Sequence, residues 1–204
     1  MTGVDVALVV GAYLVGSIPF GVVIGRALFG VDPRSVGSGN IGAANSLRAL
    51  GKTGAALVLA CDVVKGAAPT AIALHALHAS PLLTAAVGLA TIVGHNWSVF
   101  LGFSGGKGVA TGLGVLVVLS WQATLAFAVV WFVTMLITRY ASLSSMLASA
   151  AVPIALAALR QPRAYLGYGI VAFALVLLRH DQNIRRLIAG TELRFGASKD
   201  ESRT

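Results

Sequence analysis

Most of the side chains in this sequence that could do chemistry sit in three short stretches. They read GSGNIGAANSLRALG over Gly37–Gly51, GHNWSVFLGFSGGKGVATG over Gly94–Gly112 and RHDQNIRRLIAGTE over Arg179–Glu192. In the first, glycine lets backbone amides approach an anion closely, and amides near a helix start favour phosphate. Ser38, Asn40 and Asn45 add short polar groups, and Arg48 can fork onto phosphate oxygens. A solvated arginine in a polar loop between helices is the plainer alternative. In the second, Gly105-Gly106-Lys107-Gly108 precedes a helical run, with Thr111 one turn further on. The nucleotide-binding spacing GxxxxGK[ST] is missing, because Gly108 follows Lys107, so a nucleotide P-loop is excluded. A smaller anion nest with a lysine point charge remains open. His95 reads either as a site group or as a hydrogen-bonded structural histidine, and Trp97 as an anchor at the membrane interface. In the third stretch, His180 and Asn183 are three residues apart and share a helical face, flanked by Arg179, Arg185 and Arg186.

Outside these stretches lie Asp62 and Lys65, at helical spacing inside an apolar run. Ionisable groups at that depth are costly and usually paired, so mutual pairing is expected, with support of a polar site as the alternative. His75 and His78 fall near a turn with no third ligand close in sequence, which does not make a metal site. Cys61 is the only cysteine and is expected to be inert packing; no internal disulfide can form.

Composition dictates what must position these groups. The 204 residues are 57% hydrophobic and only 11% charged, against roughly 25% charged in an ordinary soluble domain. Gly66–Gly106 contains no Asp, Glu, Lys or Arg, and Gly108–Leu159 contains only Arg139. Both stretches exceed the roughly 20 apolar residues that cross a bilayer. The net charge of +8 then reads as positive cytoplasmic loops, not as nucleic-acid binding. The first apolar stretch, Val6–Gly25, lacks a basic leader and a clear cleavage site, and is expected to be a retained span.

Backbone groups in lipid must pair within their own segment, and the period-2 alternation of a membrane barrel is absent. The expected fold is therefore all-α and polytopic. The expected spans are Val4–Phe29, Thr53–Leu77, Pro81–Leu101, Val109–Leu119, Gln122–Thr138, Leu143–Leu159 and Ala164–Leu178. The fourth is short for a full crossing. Counting seven spans puts Arg34, Arg48, Lys52, Lys107, Arg139, Arg179, Arg185 and Arg186 on one side and leaves only Arg160 and Arg163 on the other. That places the N-terminus outside, the C-terminus and all three polar stretches in the cytoplasm, and the whole chain, 1–204, in one membrane-embedded domain. The tail after about residue 193 is expected to be flexible. A small transporter or channel is the competing class, with Asp62 and Lys65 as pathway residues. The polar groups gather at one face instead of along a route, and no inverted repeat is visible.

Taken together, the three stretches resemble the bacterial acyl-phosphate glycerol-3-phosphate acyltransferases, the PlsY family. Its signatures run close to GSGNxGATN…R, GHxxPxF…GGKGVAT and RHxxNIxRLxxGxE. Here they read GSGNIGAAN with Arg48, GHNWSVF with GGKGVAT, and RHDQNIRRLIAGTE, in the same order and over nearly the whole chain. Ala44, Ser98 and Ser104 depart from the usual Thr, Pro and basic residue.

The resemblance implies transfer of a fatty acyl group from acyl phosphate to the sn-1 hydroxyl of glycerol 3-phosphate, giving lysophosphatidate and phosphate in phospholipid synthesis. It implies no acyl-CoA, no cofactor and no metal, and a monomer in the bacterial plasma membrane. Acyl phosphate is already activated, so no covalent intermediate is needed, and no Ser-His-Asp set is present. The catalytic candidates are His180, Asn183, Ser38 and Asn40. His180 would orient or deprotonate the hydroxyl, unless the acceptor's own phosphate takes the proton. Asn183 and Asn40 would serve the oxyanion or the acceptor's hydroxyls. The binding candidates are Arg48, Lys107, Gly105, Gly106, Asn45, His95 and Thr111, and the acyl chain would lie between spans.

Overall fold

The computed structural model describes residues 2–195. Apolar runs punctuated by Gly, Pro and Ser become nine α-helices among these residues: α1 Gly3–Ser17, α2 Phe20–Phe29, α3 Ala43–Ala71, α4 Pro81–Asn96, α5 Val109–Leu119, α6 Trp121–Thr138, α7 Ala141–Ala158, α8 Arg163–Arg179 and α9 Asp181–Ile188. Local chemistry sets the ends. Ser80 and Ser120 accept from backbone amides three residues on, starting α4 and α6, and Pro81 fits the first turn of α4. Arg139 turns left-handed, with φ 60°, and ends α6.

The expected first span is broken. Pro19 lacks an N–H and stops α1, leaving the carbonyls of Ser17 and Ile18 without helical donors. Ser98 Oγ donates to Ser17 O at 2.6 Å, and Lys65 Nζ donates to Ile18 O at 2.9 Å. The expected third span also ends early. α4 stops at Asn96, because the chain turns back through Gly102 and pairs Ser98 with Ser104. α3 contains a kink at Gly51, whose φ of 73° and ψ of −172° leave the helix. The turn Ala43–Leu50 is thereby set at an angle to the long segment after it, and it carries Asn45 and Arg48.

Length and apolarity qualify four helices for membrane crossing: Gly3–Phe29 taken together, Ala43–Ala76, α6 and α7. α8 joins them only when paired with α9, across a bend of 61°. α4 and α5 are shorter, so among the described residues length and apolarity mark four spans, or five with the bent pair, where seven were expected.

Two helix crossings are close enough to need glycine. In α1 and α4, Gly16 lies against the Thr91 backbone and Gly94 against Tyr13 O. In α3 and α5, Gly66 lies against Thr111 O and Gly114 against Val63 O. A Cβ at any of these would meet backbone, so small residues set the spacing. The main core lies between α4, α5, α7 and α8, around Ile92, Val115, Leu116, Leu156 and Tyr168. Many apolar side chains point outward, Leu136 at 81% exposure and Ile154 at 72% among them. Lipid contact is what satisfies such a surface.

Candidate active site

The loop before α3, the loop before α5 and the segment from α9 onward converge at one end of the bundle. They enclose a cavity of about 330 Å³. Its polar wall holds Ser38, Asn40, Asn45, Arg48, Lys107, His180 and Asn183; its apolar wall comes from α5 and α6, with Leu113, Phe127, Trp131 and Phe132.

Asn45 builds the first loop. Its Nδ2 donates to Pro33 O at 2.7 Å and to Asn40 O at 2.8 Å, while its Oδ1 accepts from Ser38 N at 2.9 Å. All its hydrogen-bonding capacity toward the loop is spent on shape, so Ser38 and Asn40 are held on the cavity wall by it. Asn40 Oδ1 in turn accepts from Gly42 N at 2.9 Å. Arg48 reaches the cavity and makes no ion pair among the described residues.

Arg179 builds the second loop. Its Nε donates to Gly106 O and its Nη2 to Gly105 O, each at 2.9 Å, and its guanidinium lies over the Trp97 ring. Gly106 N donates to His95 O at 3.0 Å, and the His95 ring packs on the Gly106 Cα. Gly105 and Gly106 therefore do not line the cavity as an anion nest; they allow close packing and present Lys107. Thr111 is also off the cavity, fully buried at the α3–α5 crossing. His95 does line it, 3.7 Å by its Nδ1 from Asp62 Oδ1, and Asp62 pairs with Lys65 at 2.8 Å.

In the third segment, His180 N bonds back to Leu177 O, three residues earlier, which frees Val176 O. That carbonyl lies 2.7 Å from His180 Nδ1. A carbonyl only accepts, so Nδ1 carries the proton and Nε2 is left as a lone-pair acceptor. Burial, then the Lys107 charge, push His180 down to about 4, so the ring is neutral at pH 7. Burial also pushes Lys107 down to about 8; Glu192 opposes this, while Arg186, Arg179 and Arg48 add to it.

Lys107 Nζ donates to Asn183 Oδ1 at 2.5 Å, and Asn183 Nδ2 donates to Glu192 Oε1 at 2.6 Å. Ser142 Oγ reaches the same oxygen at 2.7 Å, and Arg186 Nε reaches Oε2 at 2.8 Å. Burial pushes the Glu192 carboxyl up, but these three donors outweigh it and hold it below its ordinary value. Sequence reasoning passed over Glu192, although it closes the third motif. Arg186 entered only as one of the flanking cations, and no local signal marks Ser142. The tail is pinned as far as it is described: Phe195 N donates to Arg139 O at 2.8 Å. Its remainder, including most of the portion expected to be flexible, lies outside the described residues.

The family description Glycerol-3-phosphate acyltransferase matches residues 6–190. The chain belongs to that family. A glycerol-3-phosphate acyltransferase of Rubrobacter xylanophilus is 48% identical over 94% of this chain and 96% of its own length. One of Brucella canis is 46% identical over 94% and 95%. Among solved structures, PlsY (YgiH), an integral membrane glycerol 3-phosphate acyltransferase, in its glycerol 3-phosphate form, superposes with a TM-score of 0.91 at 45% identity, over 95% of this chain and 96% of the other. Its lysophosphatidic acid form gives 0.89 at 44% identity. This glycerol-3-phosphate acyltransferase family member is an all-helical integral membrane protein, and nothing in its relatives favours the transporter reading.

Proposed function

We propose that this protein transfers a fatty acyl group from acyl phosphate to the sn-1 hydroxyl of glycerol 3-phosphate, releasing lysophosphatidate and inorganic phosphate. One observation carries the reading: the cations Arg48 and Lys107 and the free Nε2 face of His180 share a cavity whose opposite wall is hydrocarbon. That is the chemistry of an amphiphilic phosphate donor meeting a phosphorylated alcohol.

Arg48 and Lys107 hold the two phosphates, with Ser38 and Asn40 as hydrogen-bonding partners. His180 accepts the hydrogen bond of the attacking hydroxyl at Nε2 and aims its oxygen at the acyl carbonyl carbon. The new C–O bond forms as the bond from that carbon to the bridging phosphate oxygen breaks, and its electron pair leaves with phosphate. A His180 ring held near 4 is a weak base. The hydroxyl proton therefore ends on a phosphate oxygen, whose second ionisation lies at about 6. Asn183, with one amide hydrogen committed to Glu192, fixes the Lys107 ammonium.

The acyl chain lies along α5 and α6. Seven membrane segments, α4 and α5 packed inside as short ones, put the N-terminus outside and this site in the cytoplasm of a bacterium, in its plasma membrane. The chain acts as one domain and as a monomer. The positive charge of the loops supports that orientation.

Purified protein given palmitoyl phosphate tests the reading. Phosphate release that depends on glycerol 3-phosphate, with lysophosphatidate formed and palmitoyl-CoA unused, is the expected result. A folded preparation that releases no phosphate, or that acylates from the CoA ester, contradicts it.

A further inference from the structure

Beside the apolar wall of the active-site cavity lies more space. A second pocket of about 30 Å³ lies between α5, α7 and α8, lined by Leu116, Val152, Tyr168, Ala172 and Phe173. Both spaces share Gly108, Val109, Leu113 and Phe127. The two pockets therefore meet across these four residues. Gly108 has no side chain and Val109 a short one, whereas Phe127 is the largest of the four and the one that comes from α6. Phe127 is 7% exposed and belongs to the same apolar cluster as Leu116, Val152 and Tyr168.

The inner pocket suits hydrocarbon better than water. The Tyr168 hydroxyl is committed to Gly112 O at 2.9 Å, which leaves Ser149 as the other side-chain polar group in the lining. A buried water needs two to four polar partners. As it stands, the pocket has room for about one water-sized group, since a water occupies roughly 30 Å³.

We infer that Phe127 sets the acyl-chain length this enzyme accepts, by closing the hydrocarbon limb of the site, and that the pocket behind it takes the methyl end of a longer chain once that side chain is shortened. This rests on the proposed acyl-phosphate reading. A methylene gained or refused in an apolar pocket changes specificity roughly 10–200-fold, so the wall discriminates at the level of single carbons.

The test uses the full chain in nanodiscs, saturating glycerol 3-phosphate, and saturated acyl phosphates from lauroyl to arachidoyl, with kcat/KM measured for each. Phe127→Ala is expected to raise the ratio of longer-chain to shorter-chain kcat/KM by roughly tenfold or more. Adding Ala172→Leu refills the inner pocket and is expected to reverse that gain. Phe127→Leu keeps more of the core filled and gives a smaller shift in the same direction, which serves if the alanine variant does not fold. An unchanged length profile in a folded Phe127 variant, or a shift toward shorter chains, overturns the inference. A wild-type protein that uses no acyl phosphate of any length sinks the proposed function instead, so the two failures are distinct.

Discussion

Two charged groups meet the same cavity and are built differently. Asp62 and Lys65 are closed on themselves, with His95 3.7 Å from the same carboxylate: carboxylate and ammonium pair at 2.8 Å, and the ammonium also caps Ile18 O. Arg48 and Lys107 are open: the carboxylate beside them, Glu192, is already gripped by Ser142, Asn183 and Arg186. A buried charge must be neutralised by something. In the closed group another part of the fold does it. In the open group the positive charge exceeds the carboxylate beside it, and under the proposed function the two substrate phosphates would balance it. Charge in a membrane protein marks a ligand site where it is left unbalanced, and a structural joint where it is not.

Breaking one member of each group separates them. Asp62→Asn leaves Lys65 buried without its partner, and is expected to cost about 3–5 kcal/mol of stability, seen as a large drop in Tm in detergent. Full stability in that variant would dissolve the distinction. Lys107→Met is expected to keep Tm within a few degrees while lowering kcat/KM by about 10²–10³, measured by acceptor-dependent phosphate release. His180→Ala loses the hydroxyl's aim and is expected to lower kcat by about 10², with the KM for acyl phosphate little changed.

The pH dependence sharpens the contrast. Lys107 sits near 8 in the folded protein, below its ordinary 10.5. Between those values the unfolded chain binds more protons, so this residue's contribution makes the folded state more stable as pH rises from about 8 to 10.5. Phosphate binding runs the other way: kcat/KM is expected to fall as pH rises through about 8, and the falling limb to vanish in Lys107→Met. The smallest effect belongs to the α1–α2 joint, where Ser98→Ala removes one hydrogen bond to Ser17 O and is expected to cost about 1 kcal/mol without touching turnover.

The sequence made the uniform parts of this molecule readable and hid the joints. α5 to α8 fall within two residues of their expected ends, because long apolar runs meet clear stops at Ser120, Arg139 and Pro162. The break at Pro19 hid inside an apolar run, since the groups that satisfy its freed carbonyls, Lys65 and Ser98, are distant in sequence. Arg48, Lys107, His180 and Asn183 stood out as polar groups in an apolar chain, and all four reach the cavity. Gly105 and Gly106 looked like an anion nest because glycine signals close approach without saying to what; here it is the His95 and Asn96 backbone at Gly105 and the His95 ring at Gly106. Ser142 was invisible, since one serine at the start of an apolar helix carries no sign of the carboxylate fifty residues on.

Calorimetric titration of glycerol 3-phosphate into the wild-type protein, Lys107→Met and Asp62→Asn, without donor, bears most directly on the open-versus-closed distinction. Removing Lys107 is expected to weaken binding tenfold or more, while Asp62→Asn, in whatever fraction remains folded, binds as the wild type does. Equal binding by wild type and Lys107→Met, together with lost binding in folded Asp62→Asn, would contradict it.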